Sequence, residues 1–205
     1  MGLFDGRVVI VTGAARGVGR EYALRFGAEG AQVVVNDLGG ANDGTGEDRT
    51  PAQQLVDEIT ATGGTAIAKG DSVVSWDGAK AIVDCAVDTF GDLLIVVNDA
   101  GFVRDRTIVN MSEEDFDAVV QVHLKGTFAM TRWAGSYWRD QTKAGRQDQR
   151  RIVNTTSGSG LFGNAGQANY ASAKMGIVGS RSSALASSRG TARRQSRSLP
   201  GRAPG

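Results

Sequence analysis

Five short runs rich in valine and isoleucine alternate with longer amphipathic segments along most of this chain. The runs are almost continuously apolar, as strands buried on both faces of a sheet are. They occupy residues 8–12, 32–37, 65–69, 93–98 and 151–156. The segments between them have apolar residues at helical spacing and occupy residues 19–30, 51–62, 75–90 and 113–139. We therefore predict βαβ units that form a doubly wound parallel sheet between two helical layers, a three-layer α/β/α fold.

Length and cysteine content narrow the class of protein further. A chain of 205 residues suits one globular domain with a sizeable core. Its single cysteine, Cys85, excludes a scaffold held by disulfides and favours a reducing compartment. No apolar run approaches the roughly 18 residues of a membrane span, and the chain begins without a signal peptide pattern. We expect a cytoplasmic protein that does not associate with membranes.

The last part of the chain differs in composition from the rest. From Met175 onward there are six arginines and no aspartate, glutamate or lysine, whereas the first 174 residues have a net charge of −5. Residues 180–205 have seven serines and few large apolar residues, so we expect disorder or a frayed helix there. Nucleic-acid binding by these arginines is not expected, because no aromatic residues are interleaved with them and the remainder is acidic.

A glycine-rich segment joins the first predicted strand to the first predicted helix. It is Thr12-Gly13-Ala14-Ala15-Arg16-Gly17-Val18-Gly19. Glycines in this position permit a tight turn and a close approach of the backbone to a pyrophosphate, which then lies at the helix N-terminus. An ordinary glycine-containing turn is the alternative. The location within a βαβ unit favours a dinucleotide site.

Asp37 at the end of the second predicted strand bears on the choice of dinucleotide. A carboxylate there can accept hydrogen bonds from both hydroxyls of the adenosine ribose and repels a 2′-phosphate. This favours NAD over NADP. Arg16 is a counter-indication, because its guanidinium can meet a 2′-phosphate, although a solvated loop cation is the simpler interpretation.

Tyr170 and Lys174 form the third notable pattern, with Ser157 thirteen residues before the tyrosine. The i, i+4 spacing places the phenol and the ammonium on one helix face, where the cation favours the ionised phenol of an acid–base catalyst. Ser157 follows the fifth predicted strand, at the sheet edge where α/β proteins bind ligands. A turn serine and a partly exposed helix face are the structural alternatives.

Together these patterns resemble the short-chain dehydrogenase/reductase family, whose fold is Rossmann-like. The family's TGxxxGxG is complete at residues 12–19, and its serine followed by Tyr-x-x-x-Lys is present. Its Asn-Asn-Ala-Gly is Asn98-Asp99-Ala100-Gly101 here, with one departure at Asp99. Segments 35–40, 104–106 and 122–126 are similar to the (3R)-hydroxyacyl-CoA dehydrogenase unit of multifunctional enzyme type 2 and its single-domain bacterial relatives. The resemblance covers residues 3–179.

The resemblance implies an NAD-dependent oxidoreductase that acts on a secondary alcohol, such as a 3-hydroxyacyl-CoA, and forms a homodimer or homotetramer. Tyr170 is then the general acid–base, Lys174 holds the nicotinamide ribose and assists Tyr170, and Ser157 orients the substrate oxygen. His123 occupies the position at which most members of the family have an asparagine that takes part in a proton relay. The resemblance therefore implies a catalytic role for His123, and packing in the core is the alternative. The remaining residues implied at the cofactor are Gly13, Arg16, Gly17, Val18, Gly19, Asp37, Asp71, Ser72, Asn98, Ala100 and Gly101. No metal site is implied.

The resemblance ends at about residue 179, which separates a dinucleotide-binding domain (1–179) from the Ser/Arg-rich tail (180–205). The family continues with a sixth strand, a Pro-Gly turn and a substrate loop. Of these features, only the Pro-Gly turn has a counterpart at the expected distance from Lys174, namely Pro200-Gly201. We hypothesise that the reading frame slips shortly after Gly179, which resequencing of the gene would test. A truncated, non-catalytic remnant that at most binds nucleotide is the alternative function, and we expect little activity from such a chain.

Overall fold

A computed structural model describes residues 2–41, 43–48 and 50–195 of the protein. Its centre is a five-stranded parallel sheet in the order β3-β2-β1-β4-β5. The strands are β1 (Val8–Thr12), β2 (Gln32–Asn36), β3 (Thr65–Lys69), β4 (Ile95–Asn98) and β5 (Arg151–Asn154). Three strands are shorter than the sequence predicted: β2 and β5 end earlier than the predicted runs, and β4 begins later. The predicted fold class is confirmed.

Seven α-helices flank or follow these strands in the described part of the chain. They are α1 (Gly17–Ala28), α2 (Thr50–Ala61), α3 (Trp76–Phe90), α4 (Glu113–Val120), α5 (Thr127–Lys143), α6 (Gly158–Phe162) and α7 (Ala168–Gln195). Residues 180–195 therefore continue a helix, and 196–205 lie outside the described residues. Within the described ranges, no helix is long and apolar enough to cross a bilayer.

Alternate residues of each central strand supply two separate cores, one on each face of the sheet. Val9 and Val11 of β1 pack towards α1 and α2, whereas Val8 and Ile10 pack towards α3 and α5. All four are at most 1% exposed, which explains why the run shows no polar alternation. The sheet is therefore sandwiched between two helical layers, as predicted.

The long predicted helix over 113–139 is the clearest departure from the sequence prediction. It is interrupted by a π-helical segment, Gln121–Gly126, which joins α4 to α5. An apolar pattern continues through the interruption, so the periodicity of the sequence does not reveal it. A π-turn inserts extra backbone and rotates the following side chains, and such turns are frequent at functional sites. Here the π-helical segment contains His123.

Candidate active site

Polar groups converge at the carboxyl ends of β1, β2, β4 and β5. The strand order changes direction at β1, because β2 lies on one side of it and β4 on the other. Such a switch point opens a crevice in which doubly wound sheets bind ligands. The structure has a cleft of about 650 Å³ there. Most of the predicted site residues line it, namely Gly13, Arg16, Gly17, Val18, Asp37, Asp71, Ser72, Ala100, Gly101, His123, Tyr170 and Lys174.

The glycine-rich turn is packed too closely for side chains at two positions. Gly13 has φ +67°, and a Cβ there would lie 2.6 Å from Ala100 Cα. A Cβ on Gly19 would lie 2.2 Å from the Gly13 carbonyl oxygen. Gly17, at the first position of α1, has open space around it. These glycines therefore hold the turn against β4 and leave the N-terminus of α1 accessible from the cleft.

Asp37 fastens this turn to the loop that follows β2. Its Oδ2 accepts a hydrogen bond from the Ala15 N–H (2.8 Å), and its Oδ1 accepts one from the Gly39 N–H (2.6 Å). The Arg16 guanidinium donates to the Gly40 carbonyl at 2.9 Å. The negative charge at the end of β2 is thus held in place at the cleft, while the nearby cation is engaged by the loop backbone.

The segment after β3 forms another part of the cleft wall. Asn36 donates from Nδ2 to the Asp71 carbonyl at 3.2 Å, and the Asp71 carboxylate lies 2.7 Å from Lys69 Nζ. The Ser72 hydroxyl accepts a hydrogen bond from the Val74 N–H at 3.3 Å. These contacts hold Asp71 and Ser72 in the wall of the cleft, where the family resemblance implies that the adenine of the cofactor binds.

Tyr170 and Lys174 lie on one face of α7, as their spacing predicts. Lys174 is 3% exposed, and its ammonium donates to the Thr155 carbonyl at 2.9 Å. Lys174 Nζ is 5.5 Å from the centroid of the Tyr170 ring. Burial lowers the pKa of Lys174, and the Asp99 carboxylate partly restores it. The Lys174 ammonium and the Tyr170 ring are therefore held side by side in the cleft.

His123 packs against Tyr170, with the ring centroids 5.1 Å apart and the planes nearly perpendicular. Its Nε2 donates to the Phe102 carbonyl at 2.8 Å, so Nδ1 is the unprotonated nitrogen. Burial, aided by the Lys174 ammonium, lowers the pKa of His123 to about 4. Nδ1 is buried without a hydrogen-bond partner among the described residues. The ring is therefore a neutral acceptor at physiological pH.

Three predicted site residues are not among those that line the cleft. Ser157 caps α6, where its hydroxyl accepts a hydrogen bond from the Ser159 N–H at 3.2 Å. The buried Asn98 side chain donates to Asn154 Oδ1 at 2.9 Å and so joins β4 to β5. Gly19 allows the close packing described above. Contact of these three residues with substrate or cofactor remains a prediction.

Sequence reasoning missed the contacts that close the cleft from the loop side. A Cβ on Gly44 would lie 2.5 Å from the Phe102 ring, and Arg104 donates from Nε to the Asp43 carbonyl at 2.9 Å. The loop after β2 therefore reaches the segment after β4 across the cleft. The unusual Gly-rich composition of residues 38–50 signals a loop, but nothing in it indicates where the loop packs.

Asp99 and Thr155 were also missed as cleft residues. The Thr155 hydroxyl donates to Asp99 Oδ1 at 2.5 Å. Burial raises the pKa of Asp99, whereas the Thr155 hydroxyl, Lys174 and the Gly19 N–H lower it. The departure of Asp99 from the family's asparagine was the available signal.

Comparison with known proteins agrees with this geometry. A family model described as short chain dehydrogenase matches residues 7–188. A crystal structure of a short chain dehydrogenase from Mycobacterium avium has a TM-score of 0.81 and 57% identity, covering 86% of this chain and 61% of that one. The peroxisomal multifunctional enzyme type 2 of Drosophila melanogaster is 49% identical over 86% of this chain and 28% of its own length. A hydroxyacyl-CoA dehydrogenase of Mycobacterium tuberculosis is 46% identical over 85% of this chain and 54% of its own.

The chain belongs to the short-chain dehydrogenase family, whose members are oxidoreductases that use a nicotinamide dinucleotide. The predicted family resemblance is confirmed. The chain spans less than two thirds of each of these three relatives.

The cleft fits the dinucleotide that the family implies. Glycines occupy the places where a Cβ would collide, the first turn of α1 has no acidic residue, and Asp37 stands beyond that turn. In the described part of the chain, no group of three or more His, Cys, Asp or Glu side chains is arranged to hold a metal ion.

Proposed function

We propose that this protein catalyses the NAD-dependent oxidation of a secondary alcohol, with a 3-hydroxyacyl-CoA as the substrate class. The observation that carries the proposal is the position of Tyr170 and Lys174 in the same cleft as Asp37 and the glycine-rich turn. One continuous site can therefore hold a dinucleotide along its length and an alcohol at the tyrosine. The name of the mycobacterial relative, a hydroxyacyl-CoA dehydrogenase, supports the substrate class.

The chemistry requires a base for the hydroxyl proton of the alcohol. Tyr170 is that base, and Lys174 stabilises the phenolate that accepts the proton. A bound nicotinamide supplies the acceptor for the hydride that leaves the carbinol carbon, so the alcohol becomes a ketone. His123 packs as a neutral imidazole perpendicular to the Tyr170 ring, so in the proposed reaction it positions that ring.

Asp37 supports NAD rather than NADP as the cofactor. Its carboxylate is fixed by two backbone N–H groups and lines the cleft, where a 2′-phosphate would meet a negative charge. Arg16, the cation that could offset this charge, already donates to the Gly40 carbonyl. The proposed preference for NAD therefore rests on the placement of the Asp37 carboxylate, since the hydrogen bond directs the Arg16 guanidinium towards Gly40 without removing its charge.

We also propose that the chain assembles as a homo-oligomer. Support comes from the large apolar side chains that α5 and α7 leave exposed, Phe128 at 53% and Met175 at 45%. Analytical ultracentrifugation is expected to show a dimer or tetramer, and a monomer at micromolar concentration would contradict this part of the proposal.

Turnover is tested by mixing the protein with NAD and a (3R)-hydroxyacyl-CoA and following the absorbance of NADH. The proposal expects NADH to form with wild-type protein and not with Tyr170→Phe, which keeps the ring and removes the hydroxyl. Binding of NADH without turnover of any 3-hydroxyacyl-CoA would support the alternative function, a protein that only binds nucleotide. Equal rates in the two proteins would refute the role of Tyr170.

A further inference from the structure

Asp99 is a half-buried carboxylate in the cofactor cleft, at a position where the family pattern has an uncharged asparagine. It follows β4 directly, and its backbone N–H donates to the Thr12 hydroxyl at 3.1 Å. The proposed reaction assigns it no role. An ionised group in such a place is costly unless another charge offsets it, so its surroundings indicate what it does.

Thr155 connects Asp99 to Lys174 through two different atoms. Its hydroxyl donates to Asp99 Oδ1 at 2.5 Å, and its carbonyl accepts from Lys174 Nζ at 2.9 Å. One residue thus fixes both the carboxylate and the ammonium. The Gly19 N–H at the start of α1 also stabilises the charged form of Asp99.

Among the residues that the structure describes, no other carboxylate is placed to act on Lys174. His123 faces it from the π-helical segment and is uncharged near neutral pH, and Tyr170 lies beside it on α7. On α4, Asp115 lies within 4 Å of the guanidinium groups of Arg104 and Arg106. Helix α6 has no charged residue. Asp99 is therefore the anion that acts on Lys174, and it opposes the effect of burial on the lysine's pKa.

We propose that Asp99 is the counter-ion that keeps Lys174 protonated in the cofactor cleft. It is a positioning residue, because it acts on the reaction through Lys174 and not by touching the substrate. Without it, burial alone acts on the pKa of Lys174 and lowers it further, which weakens the support that the ammonium gives to Tyr170 in the proposed reaction. The consequence for catalysis rests on the proposed function, but the charge state of Lys174 does not.

The charge state of Lys174 can be measured directly in the full chain without cofactor. The sequence has five lysines, at positions 69, 80, 125, 143 and 174, so ¹³C labelling of the lysine side chains gives few NMR signals to assign. We expect Asp99→Asn to lower the titration midpoint of Lys174 by about 1 pH unit or more, the usual effect of a nearby opposite charge. An asparagine Oδ1 can still accept from Thr155, so this change isolates the charge.

Asp84→Asn is the matched control, because Asp84 is an exposed carboxylate paired with Lys80 on α3. It should leave the Lys174 midpoint unchanged. Thr155→Val is a second test that keeps the carboxylate and removes the hydroxyl donor, and it should lower the Lys174 midpoint in the same direction by a smaller amount. If Asp99→Asn leaves the midpoint where it is in wild type, the proposal is wrong. Failure of NADH binding or turnover would refute the proposed function and leave this result intact.

Discussion

Lowering the pH should reduce the free energy of unfolding of this protein, and His123 should account for a measurable part of the loss. His123 is the only histidine of the chain, and it is 3% exposed. Burial lowers its pKa from the ordinary 6.5 to about 4 in the folded protein. In the unfolded chain the imidazole is solvated and takes up a proton near its ordinary pKa.

The sign and size of the effect follow from this difference. Well above pH 6.5 His123 is neutral in both states and makes no difference to stability. Between pH 6.5 and about 4 the unfolded chain binds a proton that the folded protein does not, so the free energy of unfolding falls as the pH falls. At about 1.36 kcal/mol per unit, the full loss is about 3 kcal/mol, a large part of the roughly 5–15 kcal/mol that stabilises a typical domain.

Urea denaturation followed by circular dichroism, at a series of pH values from 7.5 to about 4.5, measures this loss. His123→Gln is the matched variant, because a glutamine amide can still donate to the Phe102 carbonyl but does not titrate. Other groups, such as Asp99, titrate equally in both proteins and cancel in the comparison. The wild type should lose about 2–3 kcal/mol more than the variant over this range. Parallel pH dependence in the two proteins would refute the burial of a neutral His123.

Two further changes test the site. Tyr170→Phe should abolish turnover with little effect on NADH affinity, whereas Lys174→Ala should reduce both turnover and NADH affinity. Fluorescence titrations with NADH, alongside the rate assay, measure this difference. An equal loss of NADH affinity in the two variants would contradict these roles. Gly101→Ala should destabilise the fold by about 1–3 kcal/mol, because its Cβ would lie 1.9 Å from His123 Cε1. Thermal melts of both variants measure this effect. Gly135→Ala, on the exposed side of α5, is the control and should raise Tm slightly. An equal change of Tm in the two variants would contradict the close packing of Gly101 against His123.

Much of the fold was predictable because it depends on local patterns. The apolar runs identified all five strands, and the spacing of Tyr170 and Lys174 placed both on one helix face. The glycine-rich turn was predictable because close backbone packing requires glycine whatever the partner is. Helix and strand ends were less certain: β2, for example, ends at Asn36, although the apolar run alone gave no reason to stop there.

The rest of the site depends on contacts between distant parts of the chain. Asp99 and Lys174 are far apart in sequence and both bind Thr155 only because the ends of β4 and β5 converge with α7. The packing of Gly44 against Phe102 depends equally on where a long loop settles. The π-helical segment could not be predicted either, because an amphipathic pattern is compatible with a continuous helix. It is this segment that contains His123, next to Tyr170.

Titrations with NADH and NADPH, followed by fluorescence, test most directly whether the cleft is an NAD site. Wild-type protein should bind NADH in a saturable manner and more tightly than NADPH, because the Asp37 carboxylate repels a 2′-phosphate. Asp37→Asn, which keeps one carbonyl oxygen to accept from the backbone, should narrow the gap between the two. Binding of NADPH as tight as that of NADH, or no binding of either to the folded protein, would contradict the assignment of this cleft.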